Sequence, residues 1–156
     1  DSHSIVENPH IRTLENIPAF FVDPSMFSAN PESAMYRPLL LSSFALNYAI
    51  SGYEVWSYHL LGLALHLGCV YLVFLCGEIL LGDRLAAGLA ALIFGVHPIN
   101  TEPLNYISSR SESLAVLFVV AGFYFYVGAK KGLSVPSLLC FALALLHQLS
   151  ELRYCQ

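Results

Sequence analysis

The stretch VWSYHLLGLALHLGCVYLVFLCGEILL, residues 55–81, decides the fold. Its 27 residues hold one acid, Glu78, and no lysine or arginine. At about 1.5 Å per residue such a helix reaches roughly 40 Å, more than the roughly 30 Å of hydrocarbon in a bilayer. It therefore crosses a membrane even when tilted, and Tyr53, Trp56 and Tyr58 at its start suit an interfacial aromatic belt. The composition agrees. Of 156 residues, 56% are hydrophobic and 12% charged, with a mean hydropathy of +0.63, too apolar for an ordinary soluble domain.

Downstream, the tight turn Gly82-Asp83-Arg84 leads to a shorter apolar run, Leu85 to Val96. Adding residues 82–84 and His97 predicts a slightly thin crossing of roughly 24 Å. Ala87, Ala91 and Gly95 recur every four residues, a stripe that lets a neighbouring helix approach closely. Two more apolar runs, Leu114 to Gly128 and Val135 to about Leu149, complete the expectation. The chain is all-α, a polytopic transmembrane bundle over 55–150 with crossings near 55–81, 83–97, 113–129 and 135–150. A tail of six residues, 151–156, is left unassigned.

Upstream, residues 1–54 are polar and turn-rich, with Pro9, Pro18, Pro24, Pro31 and Pro38. They read as an extramembranous loop with short helices. Thr13 is placed to cap one of these, and Pro38 stands as the first residue of another that runs to Ile50. That second helix, about 20 Å long, either lies in the membrane interface or packs on the spans.

Alternating helices put Arg84, Lys130 and Lys131 on one side, which the positive-inside rule makes cytoplasmic. The acid-bearing residues 1–54 and the loop His97 to Glu112 then share the extracytoplasmic side. Seven Lys plus Arg, scattered singly or in one pair, form no basic stripe, so nucleic acid is excluded as a partner. Cys69, Cys76, Cys140 and Cys155 form no CxxC and no Cys/His cluster; the first three lie inside apolar runs, and all read as small buried side chains. The chain opens at Asp1 without methionine or signal peptide, as a truncated sequence would.

The loop HPINTEPLNYISSRSE, residues 97–112, carries His97, Asn100, Thr101, Glu102, Tyr106, Arg110 and Glu112 between two spans. Two readings stay open, a solvated hairpin or the lining of a cavity at the membrane surface. A carboxylate such as Glu102 or Asp1 as general base, with a cation such as Arg110 on a phosphate oxygen, suits sugar-phosphate chemistry. His59 and His66, seven residues apart, share one face of the first span. A metal pair on one helix is normally three or four residues apart, so interhelical hydrogen bonding or lipid head-group contact fits them better.

Four segments in order, DSHSIVENPHI, YRPLLLSSFALNYAISG, WSYHLLGLALH and GVHPINTEPLNYISSRSESLAVLF, resemble the N-terminal membrane region of the transmembrane and tetratricopeptide-repeat O-mannosyltransferases and their bacterial relatives. The resemblance runs to about Leu146. It implies part of a GT-C fold in an integral, multi-pass glycosyltransferase whose active side is extracytoplasmic, in the periplasm or the endoplasmic reticulum lumen. The donor it implies is a sugar, mannose or a related hexose, on polyprenyl or dolichyl phosphate, and the acceptor a protein serine or threonine or a glycan hydroxyl. Asp1 matches the second acid of the family's acidic pair and is the implied base. Glu102 would help bind the acceptor or a divalent metal, and the resemblance points to no further cofactor. Arg110, His97 and Arg37 would face the phosphate, Asn100 the substrate, and His59 the lipid chain or head group. The end HQLSELRYCQ departs from the family's Lys-Glu pattern, and a gene fragment, inactive by itself, would explain both ends. A transporter, with His59 and His66 as pathway groups, and a non-catalytic membrane scaffold are the competing readings.

Overall fold

A computed structural model describes residues 5–28, 36–100, 105–129 and 134–152. Among the described residues there is no strand. The N-terminal part is a series of 3-10 turns, His10–Arg12, Leu14–Asn16 and Pro24–Phe27, around one short α-helical turn, α1 (Ile17–Phe20). Thr13 does stand at the N-cap of the second turn, but its side chain makes no cap bond. Asn8 organises this segment instead. Fully buried, it donates from Nδ2 to the carbonyls of Met26 (3.0 Å) and Phe27 (2.9 Å) and accepts from the His10 amide (2.9 Å). A side chain this satisfied fixes the path of two turns at once.

Helix α2 (Pro38–Ser51) starts on its proline, as expected from the missing N–H at a first helical position. Of its two open placements, the packed one is found. Leu40, Leu41, Phe44 and Ala45 are buried with Ile5, Ile11, Phe20, Phe27 and Tyr58 in one apolar cluster. Burying side chains of this size contributes about 1.5–3 kcal/mol each, which is what holds the turn-rich segment on the helices. Gly52 ends α2 at φ +60°, where a side chain would be strained.

Helix α3 (Val55–Leu81) matches its expected bounds. It ends at Gly82 in the left-handed conformation (φ 64°, ψ 9°), and Asp83 accepts from the Leu85 amide (2.9 Å) to cap α4 (Arg84–Gly95). The small-residue stripe faces α3. Ala87 and Ala91 are buried, and a Cβ on Gly77 would come within 3.1 Å of the Ala87 Cα. Helices α5 (Arg110–Gly128) and α6 (Val135–Leu152) follow, α5 packing on both α3 and α6.

The expectation of four full crossings needs correction at α4. With Gly82 left-handed and Asp83 extended, the helix begins only at Arg84, and Pro98 cannot continue it beyond the Val96 cap. Its 12 residues span about 18 Å, not 24. Among the described residues two helices, α3 and α5, are long and apolar enough to cross a membrane. Only 22% of the most apolar window of α3 is buried inside the protein, so most of its apolar surface has no protein cover.

Candidate functional site

Two polar groupings lie where α2, α3, α4 and α5 meet. The first is centred on Arg110, the opening residue of α5, which is 1% exposed. Its Nη1 donates to Ser43 Oγ (3.2 Å) and Asn47 Oδ1 (3.1 Å), and its Nη2 to the Tyr58 carbonyl (2.8 Å). The guanidinium lies over the Phe44 and Tyr58 rings, 5.2 and 5.6 Å from their centroids. Asn47 in turn donates to Ser57 Oγ (3.1 Å), which shares a 2.5 Å bond with Ser51 Oγ. One cation thus fastens α2, α3 and α5 together. Arg37, half-buried at the start of α2, donates to Ser111 Oγ (3.3 Å) beside it.

The second grouping is a cavity of about 200 Å³ lined by His66, Cys69, Phe94, Ile99, Asn100, Glu112, Ser113 and Val116. The short α4 creates it. Because α4 stops at Gly95, its last carbonyls meet α3 partway along, and the Gly95 carbonyl bonds His66 Nε2 at 3.0 Å. The chain then turns through Pro98–Asn100, where Asn100 Nδ2 takes the Phe94 carbonyl (2.6 Å) and its amide the His97 carbonyl (3.0 Å). His97 is exposed, its Nδ1 accepting from the Ile99 amide (3.2 Å). The outward nitrogen, Nε2, therefore carries the proton in the neutral ring.

The structure thus brings Asn100 together with His66 and Glu112, and joins His97 to Asn100 in one turn. Arg37 and Arg110 form a separate pair around Ser111 and Ser43. His59 is exposed and does not line the cavity. It shares a helical face with His66, but the helical part of α4 ends at the level of His66. Asp1, Thr101 and Glu102 lie outside the described residues, as does any approach of the N-terminal acid to residues 101–104. Among the described residues no three His, Cys, Asp or Glu side chains are grouped to hold a metal ion.

Sequence reasoning missed the partners of Arg110. Ser43, Asn47 and Ser51 recur every four residues in an otherwise apolar helix, and that polar stripe was the available signal. It marks a face turned toward a buried donor.

Compared with known proteins, the chain is 41% identical over 92 residues to the protein O-mannosyl-transferase TMTC2 of Homo sapiens, a match covering 59% of this chain and 11% of that protein. It is 40% identical over 95 residues to TMTC3 of Mus musculus (61% and 10%), and 31% over 131 residues to TMTC1 of Mus musculus (81% and 14%). The chain spans about a tenth of the length of these relatives. No protein-family model and no solved structure matches it.

Proposed function

We propose, from the premise that this chain belongs over its matched segment to the protein O-mannosyl-transferases, that it forms the extracytoplasmic mouth of a membrane glycosyltransferase. The observation that carries the reading is the likeness to three such transferases, one of them matched over 81% of this chain. The chain crosses the membrane more than once. Arg84, Lys130 and Lys131 lie on the cytoplasmic side, and residues 1–54 and 97–112 face the periplasm or the endoplasmic reticulum lumen.

The reaction moves mannose from a polyprenyl or dolichyl phosphate to a protein hydroxyl. The acceptor oxygen attacks the anomeric carbon as it loses its proton to a carboxylate, the bond from that carbon to the phosphate oxygen breaks, and the lipid phosphate leaves with the electron pair. Asp1 is the proposed base, and Glu102 the residue that orients the acceptor or holds a divalent ion. Exposed His97, with its protonated Nε2, and half-buried Arg37 are the proposed partners of the phosphate oxygens. Arg110, with both terminal nitrogens engaged inside the protein, serves that site by fixing the start of α5. His59, exposed on α3, meets the lipid donor.

The test is transfer of radiolabelled mannose from dolichyl phosphate mannose to a serine- and threonine-containing acceptor by the full-length parent in proteoliposomes. Transfer above protein-free liposomes supports the reading. A correctly inserted parent that transfers nothing, or that moves the sugar across the bilayer without a covalent product, overturns it.

A further inference from the structure

The hydrogen-bonding character of the cavity is one-sided. A carbonyl only accepts, so the bond to Gly95 fixes the proton of neutral His66 on Nε2 and leaves Nδ1 as an acceptor. His66 is 8% exposed, and Nδ1 has no partner among the described residues. Asn100 spends its Nδ2 on Phe94, which leaves Oδ1 over. Glu112 contributes a carboxylate and Ser113 a hydroxyl, neither with a side-chain partner among the described residues. Its described lining residues therefore offer three acceptors and one hydroxyl, with no cationic side chain among them.

Among the described lining residues a phosphate, which needs donors, finds only the Ser113 hydroxyl and meets the Glu112 charge. A ligand that donates several hydrogen bonds is matched. The remaining walls are apolar. Phe94 lies stacked with His66 (6.1 Å between centroids, 22°), and Val116 stands beside Ser113's helix turn. Such a wall suits the C–H face of a sugar ring. At about 200 Å³ the cavity is smaller than the roughly 300 Å³ at which drug-sized sites begin, and it suits one ring.

We propose that this cavity holds the neutral, hydroxyl-rich sugar ring of the glycosyl donor, with the phosphate outside it. The assignment of that ring to the donor rests on the transferase reading. The preference for a neutral polyol over an anion rests on the cavity alone.

The experiment places a reporter at Val116, a lining residue with no polar role, as Val116→Cys in the full-length parent. Labelling by the neutral reagent methyl methanethiosulfonate is followed by mass spectrometry, with the rate of the unsubstituted protein subtracted. Dolichyl phosphate mannose and methyl α-mannoside are expected to slow labelling severalfold at saturation, and sugar-free dolichyl phosphate and inorganic phosphate to leave it unchanged. Glu112→Ala, which removes no contact within the described fold, should raise the half-protecting mannoside concentration by about tenfold or more, and His66→Phe by roughly twofold to tenfold. A mannosylated serine peptide that protects while the lipid donor does not would reassign the ring to the acceptor and overturn the proposal. So would equal protection by either phosphate, protection by calcium or magnesium chloride alone, or an unchanged response in Glu112→Ala. Mannose transfer without any protection would sink this inference and leave the transferase reading standing. Protection without transfer would sink the transferase reading and with it the assignment of the ring to a donor, leaving the preference for a neutral polyol.

Discussion

Replacing Arg110 by alanine removes a buried cation that joins three helices. Its side chain donates three hydrogen bonds, to Ser43, Asn47 and the Tyr58 carbonyl, and covers two aromatic rings. Hydrogen bonds made by a charged group contribute about 1.5–3 kcal/mol each. Their sum overstates the effect, because burying the guanidinium costs several kcal/mol in lost hydration. What the variant leaves behind is clearer. Asn47 Oδ1 loses its donor, at about 1–3 kcal/mol for a group left unsatisfied, whereas the Tyr58 carbonyl keeps its place in the α3 backbone ladder. A net loss of about 3–5 kcal/mol is expected, of the size seen when one partner of a buried charged network is removed. Arg110→Lys should fall between, since an ammonium lacks the fork that reaches Asn47 and Tyr58 together. The assay is thermal unfolding in detergent, followed by exposure of the buried Cys69 and Cys76 thiols. At roughly 2–4 °C per kcal/mol for a domain of this size, the alanine variant should unfold about 6–20 °C earlier. A double-mutant cycle with Asn47→Leu should give a coupling of about 0.5–3 kcal/mol. Loss of donor binding by Arg110→Ala at unchanged stability would refute the structural role and return the arginine to the phosphate.

Gly77→Ala should lower stability by about 1–3 kcal/mol, read in the same unfolding assay, because its Cβ would press on Ala87 at 3.0–3.1 Å. In the full-length parent, Asp1→Asn should cut transfer by roughly a hundredfold or more, and Glu102→Gln should also be damaging. Glu7→Gln, exposed on the same loop, should be mild, and near-normal rates in Asp1→Asn would remove that residue as base. Cysteines introduced at 83 or 131 should label from the cytoplasmic side, and labelling from the opposite side would invert the topology. The amide and hydroxyl of Ser25 hold the Asp23 carboxyl below its usual range. The order this lends the Pro24–Phe27 turn should be complete above about pH 4 and fade as the pH falls through the lowered value. A serine-amide NMR titration with a midpoint above that range would contradict it.

How much was legible depends on whether a signal was local. The bounds of α3 follow from run length, and the Gly82-Asp83 turn from the chemistry of helix ends, so both could be read from neighbouring residues. The length of α4 was overestimated because apolar content does not mark where the backbone leaves helical geometry. That is set by Asp83 and by the turn at His97-Pro98. Arg110 is the instructive case. Its charge and position in a polar loop suggested an outward role, yet its partners lie 52 to 67 residues earlier in the chain. Their pairing depends on how three helices meet. For the cavity, Asn100 was singled out from the loop pattern, whereas His66 and Ser113 join it through the early end of α4.

The shortness of α4 bears on the surrounding lipid as well as on the fold. A helix of about 18 Å in a hydrocarbon layer of roughly 30 Å leaves a mismatch of about 12 Å. Lipid beside it must thin, or head groups and water must sink to fill the gap. At membrane depth such a helix would dent the bilayer on its flank.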